Sequence, residues 1–192
     1  MQECVQAWDW QGTPSEPAAY GEGHINQTYV VRVDGAGSPK RYILQKINTD
    51  TFKDPDQLMA NVCGVTEYLR EVIRQNSGDP NRETLRVRRT RDGKPYYRAA
   101  DGACWRVYDF IEDTVCLQSV RNVEDFCESA LAFGKFQRLL AQYPVEKLYE
   151  TIPHFHDTPK RLADFVAVVQ RDPLGAPAQN RSPGAHLRRG PG

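Results

Sequence analysis

Two glycines and a histidine near the start of the chain have the types and spacing of a ligand-binding loop. Gly21 and Gly23 stand one residue apart, His24 follows directly, and the β-branched segment 28–33 comes next. A glycine backbone has no Cβ, so it approaches a ligand closely and adopts positive φ. Successive exposed amides in such a loop form a concave anion site. The spacing therefore predicts a loop that covers phosphate groups and leads into a β-hairpin.

Judged alone, the glycine pair is a weak motif. A G-x-G-x-x-G loop has a third glycine where this chain has Asn26, and the carboxylate of Glu22 repels a phosphate. An ordinary hairpin turn explains such a pair more often than nucleotide binding does. Support for a phosphate loop must come from residues downstream.

A second group that can contact a phosphate lies in the segment 42–47, YILQKI, which has the composition of a β-strand. Successive side chains of a strand point to opposite faces, so only one of Gln45 and Lys46 faces a ligand. Lys46 provides a cation for a phosphate, whereas Gln45 provides a neutral hydrogen bond. The alternation leaves both possibilities open.

A long helix is predicted after this strand. Asp54 is a suitable N-cap, Pro55 suits the first helical position, and Asp56 favours the positive end of the helix dipole. Apolar residues then recur at alternating steps of four and three, and we expect the face that they form to pack on the sheet. These residues are Leu58, Val62, Val65, Leu69 and Val72.

Strand-like segments follow at 85–89, 95–98 and 104–110, separated by turn dipeptides. With the two strands of the hairpin, they predict an α+β fold. We expect a five-stranded antiparallel sheet that carries one long helix.

The sequence also predicts two lobes and a tail. A polar passage places a boundary near residue 113, so that residues 1–113 form the lobe with the sheet and residues 114–171 begin a helical lobe. The apolar spacing predicts a core helix followed by a second helix with an inward face. The residues of the two stripes are Val123, Phe126, Ala130, Phe133, Phe136, Leu139 and Leu140, and then Leu162, Phe165, Val166 and Val169.

The end of the chain has a different composition. Residues 173–192 include four prolines and four glycines and no acidic residue. Such a segment buries too little apolar surface to offset its ordering entropy, so disorder is predicted for residues 172–192. Its composition also resembles an out-of-frame ending.

The overall composition excludes several classes of partner. Lys and Arg number 25, as do Asp and Glu, so the whole chain has no electrostatic footprint for nucleic acid or an anionic membrane. Five cysteines without a C-x-x-C pair favour reduced thiols. No leader pattern and no apolar run of about 18 residues is present. We expect a cytoplasmic protein without a nucleic-acid or membrane partner.

Six short blocks occur in a distinctive order: GEGHIN at 21–26, YILQKINT at 42–49, LMANV at 58–62, WRVY at 105–108, FIE at 110–112 and IPHFHDTP at 152–159. They closely resemble the N-acetylhexosamine 1-kinase family, which belongs to the aminoglycoside and choline kinase-like phosphotransferases. The resemblance covers about residues 20–175. The order of elements is similar to a protein-kinase-like N-terminal lobe and the beginning of its helical lobe.

The resemblance implies ATP-dependent transfer of a phosphoryl group to the anomeric hydroxyl of an N-acetylated hexosamine. It implies ATP and Mg²⁺ as cofactors, an amino sugar as substrate, and His24 as a sugar contact. The glycine loop covers the phosphates, and the backbone at 108–112 forms the hinge that holds the adenine. The implied nucleotide-binding residues are Gly21, Gly23, Gln45 or Lys46, Tyr108, Phe110 and Glu112.

The chemistry of this family requires groups that the sequence lacks. Phosphoryl transfer in this fold uses an Asp in a His-x-Asp segment as base, followed by an Asn and a later Asp that hold Mg²⁺. None of His24, His154, His156 and His186 has an Asp two positions later. We therefore predict no catalytic residue, no metal ligand and little or no kinase activity for this chain.

Three alternatives stay open. The acceptor is choline, an aminoglycoside or another sugar, because the helical lobe largely sets acceptor choice in this family. Alternatively, the chain is a non-catalytic module that binds a nucleotide or a protein. In the third alternative the chain is truncated and does not fold stably alone. The apolar face of the first helix of the helical lobe would then be exposed.

Overall fold

The computed structural model describes residues 1–21, 23–115, 117 and 119–171. These residues form an α+β fold with four α-helices and a seven-stranded antiparallel sheet. The chain divides into two compact units, Met1–Thr151 and Ile152–Gly192. The predicted disordered tail lies outside the described residues, and the lobe boundary near residue 113 stays a prediction.

The first unit holds the sheet and three of the described helices. Its elements in chain order are α1 (Gln2–Gln6), β1 (Thr13–Pro14), β2 (Ala18–Ala19), β3 (Gln27–Asp34), β4 (Lys40–Ile47), α2 (Pro55–Gln75), β5 (Val87–Arg88), β6 (Tyr97–Arg98), β7 (Cys104–Asp109) and α3 (Val123–Leu139), with a 3₁₀ turn at Val145–Lys147. The second unit holds α4 (Thr158–Arg171).

Strand β4 lies at the centre of the sheet. The strand order is β1-β3-β4-β7-β5, with β2 also paired to β3 and β6 to β7. The register places Gln45 of β4 opposite Thr28 of β3 and opposite Arg106 of β7. Directly opposite residues in antiparallel strands lie on the same face, so these three side chains are neighbours.

The prediction of five strands is wrong, because the sheet has seven. The two additional strands, β1 and β2, are two residues long and pair with β3. A strand of two residues shows no alternation of apolar and polar side chains, so its sequence carries no period-two pattern. Strand β2 also places the glycine loop differently. Residues 20–26 connect β2 to β3, so the loop is itself the turn of a hairpin.

Two apolar clusters cover the two faces of the sheet. The first packs α1 and Trp8 against one face, and the second packs α2 against the other. Trp8 is buried, and its indole Nε1 donates to the carbonyl of Arg88 at 3.1 Å. The first cluster comprises Cys4, Val5, Trp8, Val31, Val33, Tyr42, Leu44, Trp105 and Val107, and the second comprises Ile47, Leu58, Met59, Cys63, Tyr96 and Cys104.

Helix α2 begins as predicted, but its buried face is rotated. The carboxylate of Asp54 accepts the amide of Gln57 at 3.0 Å. The predicted stripe included Val62, Val65 and Val72, and these three are only partly buried. Helix α2 contacts α3 as well as the sheet, so its apolar residues are divided between two packing surfaces. The buried residues are Pro55, Leu58, Met59, Cys63, Thr66, Leu69 and Ile73.

Helices α3 and α4 form where the sequence predicts helices, but the prediction that α3 is a core helix is wrong. No residue of α3 or α4 is buried, and Phe126 and Phe133 are 62% and 68% exposed. The side chain of Asn122 caps α3 by accepting the amide of Asp125 at 2.8 Å. A cap is local information, whereas burial needs a partner surface. None of the four described helices is long and apolar enough to cross a membrane.

The burial of β4 gives a stability prediction. Leu44 is fully buried in the first cluster, whereas Leu131 of α3 is 66% exposed. Leu44→Ala should lower the free energy of unfolding by about 2–5 kcal/mol, because it removes buried methyl groups and leaves a cavity. The matched variant Leu131→Ala should change it by less than about 0.5 kcal/mol. Urea denaturation of the two variants measures both values, and equal losses would contradict the packing described here.

Candidate functional site

An open cleft of about 950 Å³ lies on the sheet face that also carries α2, toward the sheet edge. Four separate segments line it: the glycine loop with the start of β3, the middle of β4, Leu85 ahead of β5, and the end of β7 with the residues after it. A smaller depression of about 290 Å³ beside Trp8 gathers none of the predicted site residues. The cleft is lined by Tyr20, Gly21, Gly23, Thr28, Ile43, Gln45, Leu85, Tyr108, Asp109, Phe110, Ile111 and Thr114.

The glycine loop forms one wall of the cleft. Gly21 has φ +76°, and a Cβ built there meets nothing within 4 Å, so the backbone conformation rather than space favours glycine. The ring of Tyr20 packs edge-on against the ring of Phe110, with centroids 5.4 Å apart. One end of the loop therefore contacts the opposite wall.

The other end of the glycine loop is held by Asn26. Its Oδ1 accepts the backbone amide of Asn48 at 2.9 Å, just after β4. The Oδ1 of Asn48 in turn accepts the amides of Asp50 and Thr51. In the sequence pattern, Asn26 stands only as a departure from the third glycine. The short side chain of an Asn commonly forms hydrogen bonds with nearby backbone in turns. This property is the sequence feature that could have indicated an anchor at Asn26.

Of the two candidates on β4, Gln45 lines the cleft and Lys46 does not. Lys46 lies on the face of Leu44, toward the first apolar cluster, because side chains alternate along the strand. The Nε2 of Gln45 donates to Oγ1 of Thr28 at 2.9 Å. The residue of β4 that faces the cleft is therefore neutral.

A cation reaches this position from the neighbouring strand. Nε and Nη2 of Arg106 donate to Oε1 of Gln45 at 3.0 and 2.6 Å. Nη1 lies 3.9 Å from Sδ of Met59 in α2. Burial lowers the pKa of the Arg106 guanidinium, because desolvation penalises the charged form, but arginine stays protonated in proteins. Arg106 belongs to a block noted in the sequence, and no role was assigned to it there.

The segment after β7, the predicted hinge, is held by two arginines. The carboxylate of Glu112 forms an ion pair with Arg41, with Nε to Oε1 at 3.0 Å. The guanidinium of Arg41 also lies 3.9 Å from the ring centroid of Phe110. Nη1 of Arg82 donates to the carbonyl of Glu112 at 2.6 Å. The side chain of Glu112 is thus committed to Arg41 and does not line the cleft.

Two backbone groups of the hinge are without a partner among the described residues. The amides of Asp109 and Phe110 donate to the carbonyls of Arg86 and Arg41. The carbonyl of Phe110 and the amide of Ile111 have no hydrogen bond within the described chain, and both residues line the cleft. These two groups belong to one trans peptide and point in opposite directions, so one of them can form a hydrogen bond with a ligand in the cleft.

The charges at the cleft are unevenly compensated. The carboxylate of Asp109 binds Arg88 through both oxygens, with Nη2 to Oδ2 at 3.1 Å. Burial raises the pKa of the Tyr108 phenol, which therefore stays neutral at physiological pH. Glu67, the acidic residue of α2 on this side, pairs with Arg89 at 2.9 Å. Arg106 alone among these arginines has no carboxylate partner in the described part of the chain.

The remaining predicted residue, His24, is exposed and does not line the cleft. Its assignment as a sugar contact stays a prediction. Among the described residues, no three His, Cys, Asp or Glu side chains are grouped so that they could hold a metal ion. The structure thus brings Gly21, Gly23, Gln45, Tyr108 and Phe110 to one cleft and leaves out His24, Lys46 and the side chain of Glu112.

The ion pair at the hinge gives a pH prediction. The hydrogen bond from Arg41 lowers the pKa of the Glu112 carboxyl. A carboxyl with a lowered folded-state pKa contributes stability above its unfolded pKa of about 4.3, and loses it as the pH falls through the folded value. Glu112→Gln should therefore lower the urea midpoint near neutral pH, and the difference from the wild type should shrink below about pH 4.

The double variant Arg41→Met with Glu112→Gln is the matched control. If the carboxylate acts through Arg41, the second substitution should add little to the first at neutral pH. A difference between wild type and Glu112→Gln that persists unchanged at low pH would show that the ion pair is not its cause.

No known protein-family model matches the chain. The resemblance of the six sequence blocks to a sugar-kinase family therefore stays an expectation.

Proposed function

We propose that the unit Met1–Thr151 binds an adenine nucleotide in the cleft, in the manner of the N-terminal lobe of a kinase-like phosphotransferase. The observation that carries the proposal is the composition of the cleft wall. The glycine loop, the cleft-facing residue of β4 and the hinge come from distant parts of the sequence and line one cavity of about 950 Å³. That volume lies at the upper end of the range for small-molecule sites.

The parts of the cleft match the parts of a nucleotide. Ile43 and Leu85 offer apolar surface to a base, and one polar group of the peptide between Phe110 and Ile111 offers a hydrogen bond to its edge. The glycine loop closes the side on which phosphates would lie, and glycine backbone lets amides approach them. Each part of the ligand thus has a group of suitable chemistry in the lining.

The order of the elements supports the same proposal. The long helix α2 follows β4, and strands β5 to β7 and a connecting segment come after it. This order is similar to that of a protein-kinase-like N-terminal lobe. In that lobe a glycine-rich loop covers the ATP phosphates and the central strand carries a contact to them. The glycine loop between β2 and β3 and the position of Gln45 on β4 agree with this arrangement.

The proposed acceptor rests on the sequence blocks alone. The resemblance favours the anomeric hydroxyl of an N-acetylhexosamine, with choline, aminoglycosides and other sugars as alternatives. We also propose that this chain binds nucleotide without transferring phosphate. It contains no His followed two positions later by Asp, so the base that accepts the proton of the attacking hydroxyl is missing from the sequence.

Binding is tested by thermal unfolding with ADP or ATP. A ligand that binds only the folded state stabilises it by about 2.7 kcal/mol at a concentration of 100 times Kd, so a rise in Tm should follow the nucleotide concentration. Leu85→Asp places a carboxylate on the cleft wall and should abolish the shift. Leu148→Asp is the matched control, because Leu85 and Leu148 are similarly exposed, at 38% and 41%, and Leu148 does not line the cleft.

An unchanged Tm at saturating nucleotide would overturn the proposal, as would an equal effect of both substitutions. Transfer is tested separately by incubating the chain with ATP, Mg²⁺ and N-acetylhexosamines. We expect no phosphorylated sugar, and turnover above background would contradict the proposed lack of catalysis while leaving nucleotide binding intact.

A further inference from the structure

The partly buried charge of Arg106 has no counter-charge in the described part of the chain. Two of its nitrogens donate to the neutral amide oxygen of Gln45, and a third lies 3.9 Å from the thioether of Met59. A thioether is a weak acceptor. The guanidinium therefore loses hydration without gaining an ionic partner, an arrangement that costs free energy unless an anion completes it.

The groups that face Arg106 do not supply that anion. Those that act on its charge are the phenol of Tyr108 and the thiol of Cys63, and burial raises the pKa of both, so both are neutral near pH 7. The nearby carboxylates of Asp109 and Glu67 are bound to Arg88 and Arg89. The positive charge of Arg106 therefore remains uncompensated among the described residues.

We propose that Arg106 supplies the cation of a phosphate subsite at the inner end of the cleft, with Gln45 as its positioning residue. This inference rests on the proposed nucleotide function and names the group that holds the phosphate chain. Gln45 lines the cleft, and its Oε1 lies 2.6 Å from Nη2 of Arg106, so the guanidinium sits directly behind the cleft wall.

The chemistry of the guanidinium suits this role. Arginine carries five N–H donors in a planar fork that matches the oxygens of a phosphate. Gln45 accepts from Nε and Nη2, and Met59 lies against Nη1, so one N–H of each Nη atom has no acceptor among the described residues. In kinases the cation at this point is a lysine on the central strand. Here the neighbouring strand β7 supplies it, and Gln45 fixes its direction.

The experiment compares two probes, adenosine and ATP in the presence of EDTA, by calorimetric titration at fixed ionic strength. Wild-type protein should bind ATP more tightly than adenosine. Arg106→Met removes the charge and keeps an apolar stem, so it should weaken ATP binding by about 10- to 100-fold and leave adenosine binding unchanged. Arg74→Met is the matched control, since Arg74 is an exposed arginine of α2 paired with Glu71, and both affinities should keep their wild-type values.

Gln45→Glu is a second variant, and it allows the subsite to be tested even if Arg106→Met does not fold. The new carboxylate would pair with Arg106 in place of the amide and neutralise it, so ATP should lose its advantage over adenosine. In both variants the ratio of the two affinities is the readout, because a purely structural defect would weaken the two probes together.

The outcomes separate the inference from the function on which it rests. If wild type binds neither probe, the nucleotide function fails and the subsite falls with it. If wild type binds both but the substitutions leave the ATP-to-adenosine ratio unchanged, or weaken both probes equally, the Arg106 subsite is wrong while nucleotide binding stands. A fall in the ratio of ATP affinity to adenosine affinity in both variants, with the wild-type ratio kept in Arg74→Met, supports the subsite.

Discussion

Strand β4 is hydrogen-bonded on both edges and covered on both faces, and the position of every other part of the cleft depends on it. Leu44 belongs to the cluster on one face and Ile47 to the cluster on the other. A slip of one residue would exchange the two faces and expose the side chains of both clusters. Burial on both sides therefore fixes the register, and the register assigns Gln45 to the cleft and Lys46 to the other side.

The same register explains why a glutamine is suitable at position 45. Its amide offers an acceptor and a donor, so it binds Arg106 through Oε1 and Thr28 through Nε2 at the same time. A lysine there has only donors and a positive charge, and it would repel the guanidinium opposite. A carboxylate would cancel the charge of Arg106. Only a neutral residue with both functions leaves a positioned and uncompensated cation beside the cleft.

The sequence predicted the parts of the fold that depend on local information. The cap at Asp54, the alternation of the long strands and the existence of α3 all follow from neighbouring residues. It did not predict β1 and β2, which are too short to show a period, or the exposure of α3, which depends on surfaces distant in sequence. The site shows the same division. The glycine loop was visible as a motif. The role of Arg106 could not be predicted, because it depends on the strand pairing that places Arg106 against Gln45.

The walls of the cleft differ in how firmly they are held, and this difference bears on how a ligand would bind. Gln45 is fixed by two partners, and the hinge is fixed by Arg41 and Arg82 through Glu112. Among its described residues, the glycine loop makes contacts at its two ends, and Gly21 and Gly23 between them are exposed. Ordering a loop costs conformational entropy, whereas a preformed wall does not incur that cost on binding. The hinge and the Arg106 side should therefore set the orientation of a bound nucleotide.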